Sequence, residues 1–133
     1  MKKIFQIKKT HVYLALILVF LLSMNSCIIG INGTERIRGS KNVVIEKREL
    51  PYFNSIEVSK SIDVFITIGD VFNVEVKADD NILPYITTEV VDDVLKVGEK
   101  PKFSLVSTKS QEVHITMPLL LSIKASGASN VQV

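Results

Sequence analysis

The sequence predicts an all-β fold, a stack of short strands and hairpins behind an N-terminal signal helix. Three observations carry that expectation. Apolar residues recur with period two along most of the chain, the spacing that puts alternate side chains on one face of a strand. Val, Ile and Thr supply 34 of the 107 residues after position 26 and Ala only three; side chains branched at Cβ lose rotamer freedom in a helix but pack well on a pleated surface. A ten-residue motif returns 67 positions further on, and repeats mark architectures in which each layer buries its face against the next. A chain of 133 residues with one cysteine suits a single globular domain, which excludes a multidomain enzyme and a disulfide-stapled mini-protein.

Residues 1–26 have the form of a secretory signal: Lys2, Lys3, Lys8 and Lys9 precede an apolar run over 12–22, followed by Ser23, Asn25 and Ser26. The run has 11 residues, and a bilayer span needs about 20, so a permanent transmembrane helix is the weaker reading. The only cysteine, Cys27, comes next. The segment Leu22-Ser-Met-Asn-Ser-Cys27 resembles a bacterial lipobox, in which the cysteine thiol receives a diacylglycerol and becomes the new N-terminus; Ser26 supplies the small residue before the cut, while Met24 and Asn25 depart from the commonest pattern. Two or three acyl chains at about 0.8 kcal/mol per buried methylene would make release from the membrane negligible. The competing reading is a plain signal peptide cleaved near Ser26 that leaves a free thiol. Without residues 1–26 the chain carries 12 basic and 14 acidic side chains, a net of −2, so its basicity belongs to the targeting segment and nucleic-acid binding has little support.

Residues 27–50 read as a lipid-anchored tether with a first strand near 42–46, because Gly30, Asn32-Gly33 and Gly39-Ser40 punctuate a polar stretch. Residues 51–133 read as the β domain. Ile56, Val58, Ile62, Val64, Ile66 and Ile68 alternate with polar residues, Gly69-Asp70 interrupts, and alternation resumes at Phe72, Val74, Val76 and Ala78, the pattern of a hairpin. Asp79-Asp80-Asn81 followed by Pro84 predicts one helical turn before a strand near Ile86. Asp92-Asp93 predicts a second hairpin turn between Val91 and Val94. A further strand runs through Val113, Ile115 and Met117 and ends at Pro118.

The repeat pairs Ser55-Ile-Glu-Val-Ser-Lys-Ser-Ile-Asp-Val64 with Ser122-Ile-Lys-Ala-Ser-Gly-Ala-Ser-Asn-Val131, without a gap and with four identities. The offset is odd, so the inward face moves from even to odd numbers, and Ile123, Ala125 and Val131 follow it. The Ser-Gly-Ala-Ser-Asn stretch suits a tight turn, with Asn130 placed for a left-handed conformation; a Ser/Gly-rich surface loop is the plainer alternative. The last strand stops mid-pattern at Val133, which points to further layers or to an edge covered by a partner.

With Cys27, Gly30-Ile31-Asn32, Phe53-Asn-Ser-Ile-Glu-Val58, Asp63-Val-Phe-Ile-Thr67, Ala78-Asp-Asp-Asn-Ile-Leu-Pro-Tyr-Ile86, Val94-Leu95 and Ser126-Gly-Ala-Ser-Asn130 in hand, the chain resembles the head GIN domain family of auto-transporter adhesins. The resemblance spans 30–133 and implies a right-handed β-solenoid-like stack, of which this chain is the N-terminal portion, in a bacterial cell envelope. It brings no catalytic residue with it.

Candidate sites are few. His114, the one histidine after residue 26, falls on the polar parity of its strand and reads as a solvent-facing side chain. After residue 26 no second histidine, cysteine pair or calcium-loop pattern supports a metal, and no phosphate loop or Gly-x-Ser-x-Gly motif supports nucleotide or hydrolase chemistry. The expected binding surface comprises Phe65, an aromatic on an otherwise polar parity, with Asp63, Ser126 and Asn130. The leading expectation is a non-enzymatic lipoprotein, without cofactor, on the periplasmic or surface face of the outer membrane, binding glycans or proteins. The second is a periplasmic assembly protein acting by β-edge pairing with a partner or with itself. A third is a carbohydrate-active enzyme using Asp63 as one of two carboxylates.

Overall fold

The computed structural model describes residues 12–18 and 33–133, which belong to two separate units. Residues 12–18 form a helix with exposed side chains, and among the described residues no helix is long and apolar enough to cross a membrane. The expected cleavage site, Cys27 and Gly30-Ile31-Asn32 lie outside the described residues.

The second unit consists of strands β1 (Glu35–Arg38), β2 (Val43–Lys47), β3 (Ser55–Val58), β4 (Ile62–Ile68), β5 (Asn73–Asp79), β6 (Ile86–Val91), β7 (Val94–Glu99), β8 (Phe103–Val106), β9 (Gln111–Met117), β10 (Ser122–Ala125) and β11 (Val131–Gln132), with one 3₁₀ turn at Leu83–Tyr85. They form a two-stranded sheet β1-β8, a four-stranded sheet β10-β3-β7-β6 and a five-stranded sheet β11-β4-β9-β5-β2. Among the described residues the fold is mostly β and contains no closed barrel.

Alternation sets the core. Ile56, Val58, Ile62, Val64, Val74, Val76, Leu95, Val97, Val113, Ile115 and Met117 are all buried, while Glu57, Glu75 and Lys77 between them are not. Each such aliphatic side chain contributes roughly 1.5–3 kcal/mol on leaving water. Ile68, at the end of its strand, is the member of the alternating set that stays exposed.

The 67-residue repeat is a ladder register. β10 pairs in parallel with β3, Ser122 opposite Ser55 and Ile123 opposite Ile56, and β11 pairs in parallel with β4, Val131 opposite Val64. The corners coincide as well. The chain turns between β3 and β4 at Lys60 (φ 70°) and between β10 and β11 at Gly127 (φ 84°), positions that the repeat aligns. The N–H groups of Ser59 and Ser126 donate to the carbonyls of Val97 and Val58, each at 2.9 Å. A left-handed residue ends the extended run, so the stretch from Ile56 to Ile68 divides into two strands that enter different sheets. Gly127, not Asn130, takes the left-handed conformation: only glycine adopts it without a Cβ penalty, and here a Cβ would lie 3.0 Å from the Lys60 carbonyl oxygen.

Two further expectations are corrected. β4 and β5 are not a hairpin: β9 lies between them, parallel to β4 and antiparallel to β5. Alternation specifies which face a residue takes but not which strand lies beside it. The stretch before residue 42 also carries a strand, β1, paired in parallel with β8; in Glu-Arg-Ile-Arg only Ile37 turns inward, too little for a periodic signal. The strand at β2, the turn at Leu83–Tyr85 and the strand ending at Pro118 match the sequence reading. So does the β6–β7 hairpin, whose two-residue turn has Asp92 at φ 51° and Asp93 at φ 61°, the type I′ geometry that fits strand twist.

Asp79 fastens three segments together. Its side chain is 1% exposed; Oδ1 accepts from the Lys41 N–H at 2.9 Å and the Thr108 hydroxyl at 2.7 Å, and Oδ2 accepts from the Thr108 N–H at 3.0 Å. The Thr108 N–H first, then its hydroxyl and the Lys41 N–H, hold this carboxyl below the ordinary range against the opposing effect of burial. Asp80 accepts from Ser40 and Asn42, and Asn81 bonds Ser40 and the Arg38 carbonyl, so the Asp-Asp-Asn triplet closes the link between β1 and β2.

Candidate functional site

The odd-numbered side chains of β4 leave the core on the outer face of the five-stranded sheet. Register lines them up across strands. One row runs Gln132, Phe65, His114, Glu75, Lys47, and the next runs Asp63, Glu112, Lys77, Ile45.

Phe65 stacks on His114 with ring centroids 4.8 Å apart and planes 12° from parallel. One face of the phenyl ring is therefore taken, and the side chain as a whole is half-buried. His114 Nε2 lies 2.8 Å from Glu112 Oε2, Lys77 Nζ 3.3 Å from the same oxygen, and the Ser110 hydroxyl donates to Oε1 at 3.0 Å. The bond from His114, with those from Ser110 and Lys77, holds the Glu112 carboxyl below the ordinary range although burial opposes it. A carboxylate so held is a fixed charge rather than a proton donor at neutral pH.

Asp63 Oδ1 accepts from the Asn130 N–H at 3.2 Å and from Asn130 Nδ2 at 3.1 Å. The structure thus brings Asp63, Phe65 and Asn130 to one edge of the sheet, along β4 and β11. Ser126 sits apart at the corner, where its N–H and hydroxyl both donate to the Val58 carbonyl, as Ser59 does to Val97 one strand earlier. Sequence reasoning placed His114 on the correct face but alone. Glu112 lies two residues away on the same face of its own strand, as alternation places it, whereas Phe65 lies on a neighbouring strand and meets His114 only through the β4–β9 register, which no local pattern reveals. Among the described residues no group of three or more His, Cys, Asp or Glu side chains is arranged to hold a metal ion.

The family described as "Putative auto-transporter adhesin, head GIN domain" matches residues 52–133. The chain belongs to that family. Its β unit is similar to several solved structures. A "putative adhesin" from Parabacteroides merdae is 27% identical, with a TM-score of 0.64 over 71% of this chain and 40% of that one. One from Bacteroides fragilis is 23% identical, with a TM-score of 0.65 over 71% of this chain and 44% of that one. A "putative lipid binding protein" from Parabacteroides distasonis is 21% identical, with a TM-score of 0.63 over 73% of this chain and 44% of that one. The chain thus spans less than half the length of these structures. No curated protein matches it.

Proposed function

We propose that the protein is a lipid-anchored component of a bacterial cell envelope, held at the outer membrane through Cys27, and that it works without catalysis or cofactor as an adhesin-like module binding glycans or proteins. The observation that carries this reading is family membership over residues 52–133, joined to a sheet face on which Phe65 interrupts a polar surface. The tripartite leader and the lipobox-like segment before Cys27 support the anchor. Parallel pairing at an offset of 67 residues, with matching corners at Lys60 and Gly127, supports reading the sheets as layers of a right-handed β-solenoid.

A second reading draws on a different observation. β10 and β11 are edge strands of their sheets, each paired on one side only, and an open edge is a template for strand addition by a periplasmic partner or a second copy.

A glycan array probed with wild type and Phe65→Ala tests the first reading. Loss of signal in the variant is the expected result, at about 3- to 10-fold given the usual worth of an aromatic contact. Equal signals would remove Phe65 from the binding face.

A further inference from the structure

The two sheet faces treat their charges differently. On the five-stranded sheet Asp63, Glu112, Lys77 and His114 are all bonded to neighbours. On the four-stranded sheet, register sets Lys124, Glu57, Lys96 and Glu89 side by side on β10, β3, β7 and β6, alternating in sign. Yet none of these four forms an ion pair with another described residue. Beside that row lies a groove of about 180 Å³. Its floor is Gly98, where a Cβ would come within 2.8 Å of the Ser59 hydroxyl and 3.5 Å of the Thr87 hydroxyl, so any larger residue would fill it. Ser59 and Thr87 form opposite walls, and Glu57, Glu89, Glu99 and Lys96 ring the opening.

We propose that this groove over Gly98 binds one pyranose ring of a neutral or amine-bearing glycan, an inference that rests on the adhesin reading above and gives it a ligand class. A sugar hydroxyl both donates and accepts. The unpaired carboxylates of Glu57 and Glu89 accept from such groups, Lys96 donates to them, and the Thr87 hydroxyl does either. The volume holds one ring rather than an extended chain, and the Ser59 and Thr87 hydroxyls, which sit where a Gly98 side chain would go, line its base. Three of the four charged side chains that line the groove are carboxylates, which disfavours uronic and sialic acids, and Lys124 and Lys60 outside the lining offset part of that charge. Affinity for a single ring falls in the millimolar range.

The test is an amide chemical-shift titration of the ¹⁵N-labelled mature protein with methyl hexosides (glucoside, galactoside, mannoside), glucosamine and glucuronate. The expected result is shifts centred on Glu57, Thr87 and Gly98 for at least one neutral or amino sugar, with glucuronate at least about 10-fold weaker. Thr87→Val, which keeps the side-chain shape, should weaken that sugar about 3- to 10-fold without changing the unfolding midpoint. Shifts confined to Phe65 and His114 would overturn the groove while leaving a glycan-binding face in place. An absence of shifts from every sugar, glucuronate binding as tightly as the glucoside, or an unaffected Thr87→Val would each overturn it as well.

Discussion

Replacing Asp79 by alanine offers the sharpest check on how this fold is held together. The carboxylate is almost wholly buried and serves three donors from two other segments, the Lys41 N–H, the Thr108 N–H and the Thr108 hydroxyl. Alanine leaves the two backbone donors without a partner, at about 1–3 kcal/mol each, while the hydroxyl can rotate toward water. The expected loss is therefore about 2–5 kcal/mol, a large share of the roughly 5–15 kcal/mol that holds a domain together. Asp79→Asn keeps one acceptor oxygen but turns an amide toward an N–H and loses the charge, so about 1–3 kcal/mol is expected. The sign of the pH dependence follows from the depressed folded pKa, caused chiefly by the Thr108 N–H. Stability from this group is present above the unfolded carboxyl range near pH 4 and is lost as pH falls through the lower folded value. Urea unfolding of wild type and both variants, at neutral pH and at about pH 3, measures this through the midpoint at constant slope. An Asp79→Ala protein within about 0.5 kcal/mol of wild type, or a wild-type advantage over Asp79→Asn that grows on acidification, would refute the reasoning.

Two other outcomes are expected. Gly127→Ala should cost about 1–2 kcal/mol, since a left-handed alanine is strained and its Cβ would meet the backbone of Lys60, whose carbonyl oxygen, nitrogen and Cα lie 3.0–3.3 Å away; a midpoint equal to wild type in thermal unfolding would contradict the close approach of the two turns. Mass spectrometry of the mature N-terminus should find residues 1–26 removed and acyl mass on Cys27, and an unmodified thiol there would eliminate the anchor.

The ladder between Asp63 and Asn130 shows how the two halves of the repeat are joined. A carboxylate in the first copy becomes an amide in the second, and the amide can donate where a second carboxylate would repel. The same logic pairs Lys60 with Gly127: the upper corner sits directly against the lower backbone, and only a residue without a side chain fits. Such substitutions within a repeat let its two copies pair in register as neighbouring strands.

Much of this was legible in the residues. Alternation identified the buried faces of β3, β4, β5 and β9, because a strand that places Ile62, Val64 and Ile66 inward must place Asp63 and Phe65 outward. The hairpin turn at Asp92-Asp93 announced itself because its residues are local, and the repeat pointed to neighbouring elements, which the structure shows as parallel strands in register. Strand neighbours were not legible. Placing β9 between β4 and β5, pairing β1 with β8 and setting Phe65 against His114 all join residues distant in sequence. A period of two records only whether a side chain meets water or core, and that is the same whichever strand lies alongside. Tertiary packing chose among those equivalent neighbours, and with them it assembled the Asp79 fastening and the unpaired charges beside Gly98.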